Sequence, residues 1–404
     1  MDLYDDLRLW LSEEALRENE FDQTLKELAH RMRDAGLPVA RVNVGRMMLH
    51  PAIGLYDIEW EAETDLVRTS ILQRSQVTPT LGDKTPFGEV SSGRQKAVIG
   101  ALEDPESRAS FQMFEDLYAR GYTGYAAFGR NFGQKQHVFE GVPEDFRGTA
   151  MSFATKRTGG FSKQELAALA DLVTPIAVCL RVATERFLTV ELLSHYLGRA
   201  TGEKVYSGHS ALGSGTRIEC VLFYSDMRKS LEIATDMEPE AYLGVVNSYF
   251  DCTAAAVLDH GGEVLKFIGD GVLAIFPIIE GRRPRANMCS AALAAARDAR
   301  QRAARMNEGR AEGIPEVEFG IALHVGKVIY GNVGTAKRHD FTATGPAVGL
   351  AARIEGLSAD LDMPILATRA FADASAEPGQ DLGKHALKGF ADPVAVIGYA
   401  ARRE

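Results

Sequence analysis

Two aspartates stand where carboxylates can do chemistry. Asp226 ends the run Ile218-Glu-Cys-Val-Leu-Phe-Tyr-Ser-Asp226, in which Cys220 to Tyr224 reads as a buried strand. Asp270 sits in Gly269-Asp270-Gly271, between the apolar runs Glu263 to Ile268 and Val272 to Phe276. That pattern is a hairpin whose tip tolerates positive φ. Either residue alone is ordinary turn chemistry, since Asp is favoured at strand ends and in tight turns. Together they can share divalent cations, and paired Mg²⁺ or Mn²⁺ lower the pKa of an attacking hydroxyl and neutralise a triphosphate.

Downstream lie Gly320-Ile-Ala-Leu-His324-Val-Gly326 with Gly331-Asn332-Val-Gly334, and then Arg338-His-Asp340-Phe-Thr342-Ala-Thr-Gly345-Pro-Ala-Val-Gly349-Leu-Ala-Ala-Arg353-Ile-Glu355. These ordered blocks closely resemble the catalytic domain of class III adenylate and guanylate cyclases. The resemblance runs from about Thr216 to Ala400.

The resemblance implies a division of labour. Asp226 and Asp270 would ligate two metal ions per active site, Mg²⁺ or Mn²⁺. One would activate the ribose 3′-hydroxyl and the other gather triphosphate oxygens, with attack on the α-phosphate releasing pyrophosphate. Lys266 and Thr342 match the two purine-reading positions. A Lys donor suits the adenine ring nitrogen and a hydroxyl can accept from the adenine amino group, which points to ATP. Arg353 matches the transition-state arginine. Lys388 matches the residue that holds the terminal phosphates, and Lys337 or Arg338 lies near a further phosphate site. In this family the site forms between two head-to-tail catalytic domains, so a homodimer with two sites is implied.

Each of these has a plain structural alternative: a snorkelling strand Lys at 266, a strand-filling Thr at 342, a helix-surface Arg at 353 paired with Glu355 or Asp360, and solvated charges at 388 and 338. His324 lies inside a strand and matches no catalytic position, so it reads as structural. The family's Val-Asn-x-Ala-x-Arg appears as Val348-Gly349-Leu-Ala-Ala-Arg353. The Asn that helps orient the ribose is missing, at a cost on the order of a hundredfold in rate. After Asp226 the usual phosphate loop reads Arg228-Lys229-Ser230, where backbone amides remain available. The alternative function is a degenerate cyclase domain acting as a nucleotide-binding or regulatory module. A diguanylate cyclase would require a different hairpin from Ile268-Gly-Asp-Gly-Val272.

The elements that must position these residues follow a β-α-β-β-α-β order: strand 218–224, helix 238–260, the hairpin, helix 285–306 and strand 317–328. The expected fold class is α+β, a ferredoxin-like cyclase core preceded by a sensor domain and a signalling helix. Residues 1–170 show a helix at 13–35 and strands at 40–49 and 54–60, then a helix at 107–120 and strands at 123–128, 136–140 and 149–155. This order, with Ser152-Phe-Ala-Thr-Lys-Arg-Thr-Gly-Gly-Phe-Ser, resembles a GAF-type sensor, PAS-like being the alternative. In residues 171–215, Ile176, Leu180, Ala183, Phe187, Val190, Ser194 and Leu197 alternate steps of four and three, a heptad seam for a parallel dimer or an amphipathic helix packed on its own domain. The Gly- and Ser-rich stretch 202–215 reads as a linker before the catalytic domain at 216–404.

The 404 residues allow two or three domains, and the net charge of −10 argues against a surface built for nucleic acid. The acidic start and the charges and Pro within the most apolar stretch, 166–183, predict a cytoplasmic protein without a membrane span. Cys179, Cys220, Cys252 and Cys289 sit in apolar patterns and read as buried thiols. His50, before Pro51, is the one residue of the first segment that could face a haem, and a structural role is the simpler reading. The signal that the first domain receives, small molecule or other, is not encoded in a motif.

Overall fold

The computed structural model describes residues 3–17, 20–48, 52–76, 84–132, 148–208 and 213–401. His50 and the strand expected at 136–140 lie outside the described residues. The chain divides into two compact units, Met1–Leu192 and Leu193–Glu404.

The N-terminal unit begins with α1 (Leu3–Glu14) and α2 (Phe21–Asp34), followed by β1 (Arg41–Met47), β2 (Ile53–Glu61) and β3 (Leu66–Gln73). Next come α3 (Pro86–Ser91), β4 (Ala97–Ala101), α4 (Pro105–Arg108), α5 (Gln112–Ala119), β5 (Gly124–Asn131), β6 (Gly148–Thr155) and α6 (Lys163–Leu197). Its six strands form one antiparallel sheet in the order β3-β2-β1-β6-β5-β4. Two expected helices are each two. The run 13–35 is broken between α1 and α2, and 107–120 between α4 and α5, where Phe111 takes an extended conformation before α5. Strands β3 and β4 escape the hydrophobic pattern because β3 is largely exposed and β4 is short.

Helix α6 runs 35 residues, through Pro175 and through the expected boundary at 170. It does so because Leu169, Leu172, Ile176 and Leu180 are buried in the same core as Leu25, Leu28, Trp60 and Phe153. The first half of the heptad seam is therefore filled by its own domain: Ile176 and Leu180 are in this core, and Phe187 packs beside Met48 and Ile53. Val178 and Val182 are instead the exposed apolar residues of that stretch. By length and composition alone α6 would pass as a membrane span, and ten of its residues are buried by the protein itself.

The C-terminal unit comprises α7 (Arg199–Tyr206), β7 (Gly215–Met227), α8 (Ser230–Asp236), α9 (Pro239–Asp259), β8 (Glu263–Ile268), β9 (Gly271–Ile278), α10 (Arg285–Glu308) and β10 (Phe319–Thr335). It ends with β11 (Arg338–Thr344), α11 (Pro346–Glu355), β12 (Ile365–Thr368), α12 (Arg369–Ala372), β13 (Gln380–His385) and β14 (Val394–Tyr399). It is a mixed α+β unit in which β7, α9, β8, β9, α10 and β10 give the β-α-β-β-α-β order. The sheet runs β13-β14-β12-β10-β7-β9-β8, with β11 folded back on β10. Helix α7 occupies part of the stretch read as a linker; Thr201, buried, meets the Tyr330 hydroxyl at 3.0 Å, a tertiary anchor that composition does not reveal.

Strand β7 is a continuous buried run because its sheet is covered on both faces. Val221 and Phe223 face the α9 and α10 core, while Cys220 and Leu222 join Ala347 and Ala351 of α11. Burying Phe223 completely is worth about 2–3 kcal/mol. Alanines at 292, 295, 296, 299 and 303 let α10 lie close to that core. All four cysteines are buried free thiols.

Candidate active site

Asp226 pairs across the antiparallel ladder with Gly271 of β9, which brings Asp270 beside it. The Met227 N–H donates to the Asp270 carbonyl at 3.3 Å. The two flanking glycines have different reasons to be there. Gly269 takes φ +62°, a left-handed step that favours Gly. Gly271 sits in tight space: a Cβ there would lie 3.0 Å from Asp226 Oδ1 and 3.2 Å from the Ile268 carbonyl oxygen, so a side chain would press on that carboxylate.

This packing has an electrostatic cost. Burial, reinforced by the Asp270 charge, pushes the Asp226 carboxyl up to about 6, against the opposing pull of the Met227 N–H. A third carboxyl lies close. Glu355 is buried, and burial together with Asp226 pushes it up to about 7, while Ser358 and Arg228 pull the other way. It reaches this position over Gly320, which pairs with Asp226 on β10: a Cβ at 320 would sit 2.3 Å from Glu355 Oε1. Ser358 Oγ donates to Glu355 Oε1 at 3.3 Å, and Arg228 Nη2 donates to the Ser358 carbonyl at 2.9 Å. The sequence offered Glu355 only as a possible partner of Arg353. A glycine at 320 opposite Asp226 was the available signal, and it needed strand register to be read.

Such concentrated negative charge at a strand end suits a hard divalent cation. Among the described residues no set of three or more His, Cys, Asp or Glu is arranged to hold a metal. The candidate ligands are thus the aspartate pair, which fits Mg²⁺, an ion that keeps waters and takes substrate phosphate oxygens.

The other sequence candidates sit on other elements. Lys266 of β8 lines an open cavity of about 800 Å³ within the C-terminal unit and forms an ion pair with Asp340 of β11. Thr342 is buried, and its hydroxyl donates to the Ala343 carbonyl at 3.5 Å. Arg353 on α11, Lys388 between β13 and β14, and Lys337 and Arg338 at the β10–β11 turn are exposed. Lys229, at φ +57°, starts the short α8 after Arg228. His324 Nδ1 meets Thr368 Oγ1 at 2.9 Å, and burial pushes its pKa down to about 4, so it is a neutral structural residue.

Residues 215–370 match the family model for the adenylate and guanylate cyclase catalytic domain. Adenylate cyclase 1 of Rhizobium meliloti (strain 1021) is 30% identical over 169 residues, covering 41% of this chain and 25% of that protein. The adenylate cyclase of Anabaena cylindrica is 31% identical over 157 residues, 39% of this chain and 31% of that protein. The crystal structure of the adenylyl cyclase CyaB from P. aeruginosa aligns with 47% of this chain and 97% of its own, at 27% identity and a TM-score of 0.43. The chain spans about a quarter to a third of the length of the two curated relatives. The C-terminal unit carries a class III nucleotidyl cyclase catalytic domain.

Proposed function

We propose that the protein is an adenylate cyclase that converts ATP to 3′,5′-cyclic AMP and pyrophosphate. The observation that carries this reading is the juxtaposition of Asp226 and Asp270, two carboxylates held together at the cost of a raised pKa. Two Mg²⁺ or Mn²⁺ ions bound there would activate the ribose 3′-hydroxyl and offset triphosphate charge. Arg353 offers planar donors to the transferring phosphate, and Lys388 and Arg338 offer cations to the terminal phosphates. Lys266 lines the cavity that would take the purine, whereas Thr342, the second position the resemblance implies, is buried. A head-to-tail homodimer, in which each site takes the aspartates from one chain and the cations from its partner, is the arrangement that the family resemblance implies.

The N-terminal unit is read as a GAF-type sensor of a small molecule or other signal. Its antiparallel sheet flanked by helices and the long α6 that leaves it support this, with α6 as the signalling helix of a cytoplasmic dimer. The exposed Val178 and Val182 supply an apolar stripe for such a coiled coil. Gly349, where the ribose-orienting Asn is expected, favours a second reading, a degenerate domain that binds nucleotide with little turnover.

The test is cyclic nucleotide production by the purified full chain with Mn²⁺ and ATP, beside GTP and beside Asp270→Asn. Cyclic AMP from ATP, lost in the variant, supports the cyclase. Nucleotide binding without product moves the reading to the binding module.

A further inference from the structure

We infer that Tyr249 is a positioning residue for the metal site, acting through Ser225 on the strand end that carries Asp226. The inference rests on the reading of Asp226 and Asp270 as metal ligands and deepens it, by assigning to α9 a part in holding them.

Side chains alternate along β7. Val221 and Phe223 enter the core under α9 and α10, and Ser225, two residues on, is fully buried as well. Its hydroxyl shares a hydrogen bond of 2.8 Å with the hydroxyl of Tyr249, itself fully buried on α9. Among the described residues neither hydroxyl has a second hydrogen-bond partner. Burial raises the Tyr249 phenol well above its ordinary range, so it stays a neutral hydroxyl.

A core does not need this pair to be filled: phenylalanine and alanine would occupy the same space without a polar group to desolvate. What the two hydroxyls add is direction. Ser225–Val272 is the last pair but one of the β7–β9 ladder, and Asp226–Gly271 is the last. The end of a ladder frays most readily, and here two like charges meet at it. A directional bond one residue before Asp226 opposes that fraying. The Tyr249 ring also makes an edge contact with Phe319, whose strand partner is Met227, on the other side of Asp226. The next residue of α9, Phe250, packs on Phe267 of β8 with ring centroids 4.2 Å apart, three residues before Asp270. Adjacent residues of one helix therefore grip both chain segments that carry the aspartates.

The experiment compares full-length wild type with Tyr249→Phe, Ser225→Ala and the double variant, with Asp270→Asn as the reference that lacks the site. Mn²⁺ uptake is read without nucleotide from the electron paramagnetic resonance signal of the free ion, and thermal unfolding is read in EDTA. Each single change leaves one buried hydroxyl without its partner and lowers the unfolding temperature, whereas the double change leaves none and recovers most of that loss. Expected is a Mn²⁺ affinity weakened about tenfold or more in all three, the stable double variant included. Any of the three that keeps the wild-type circular dichroism spectrum and binds Mn²⁺ as wild type does overturns the inference and reduces the pair to a stability device. A wild type whose Mn²⁺ uptake does not exceed that of Asp270→Asn overturns the metal reading, and this inference with it.

Discussion

Replacing Asp226 by Asn should stabilise the metal-free protein at neutral pH while abolishing the proposed cyclase activity. Asp226 is raised from 3.8 to about 6, first by burial and then by Asp270. A change of that size corresponds to about 3 kcal/mol at full strength, and solvent screening at a half-buried site reduces it to about 1–2 kcal/mol. The folded carboxyl holds its proton more tightly than the unfolded one. Its contribution to stability is therefore complete below about pH 3.8 and is lost as the pH rises through 6. At pH 7.5 wild type carries an ionised, crowded Asp226 and the Asn variant does not. Thermal unfolding in EDTA should place the variant higher at pH 7.5, by about 2–4 °C per kcal/mol, with the gap closing near pH 4.5. Added Mn²⁺ should reverse the ranking, because only wild type gains from binding. A variant no more stable at pH 7.5, or a gap that does not change with pH, would refute the view that this carboxylate is retained against stability.

Four further outcomes are expected. Gly271→Ala, whose Cβ would meet Asp226 Oδ1 at 3.0 Å, should displace that carboxylate by a few tenths of an ångström and lower Mn²⁺-dependent turnover about tenfold, with circular dichroism unchanged. Gly349 lies within α11 and a Cβ there meets nothing within 4 Å, so Gly349→Ala should raise stability by up to about 1 kcal/mol in urea unfolding. Gly349→Asn should raise kcat for cyclic AMP formation by about tenfold or more, since the same space admits the missing donor. Glu355→Gln should shift stability in the same sense as Asp226→Asn, over a window from about pH 4.5 to 7, because its carboxyl is pushed up to about 7 by burial and by Asp226. Titration of unfolding against pH checks the direction.

Local features of the C-terminal unit are written in short stretches of chain. Apolar runs of strand length around Asp226 and Asp270, with Gly on both sides of Asp270, specify a strand end and a turn, because alternation and turn chemistry act over a few residues. The long periodic helices α9 and α10 were legible for the same reason. Boundaries in the N-terminal unit were not, since α1, α2, α4 and α5 are short and separated by polar breaks that resemble exposed helix faces. Register and burial belong to contacts between distant segments. The strand pairing that sets Gly320 opposite Asp226 brings Glu355 into the same negative patch. A fold-back of β11 on β10 presents Asp340 to Lys266, 74 residues earlier, while Thr342 is withdrawn into the core. Packing also chose which residues of α6 face inward: Ile176 and Leu180 satisfy a heptad and a domain core equally well as a pattern, and only the surrounding side chains select the core. A one-dimensional period records that a face is apolar; what covers that face is fixed by contacts distant in sequence.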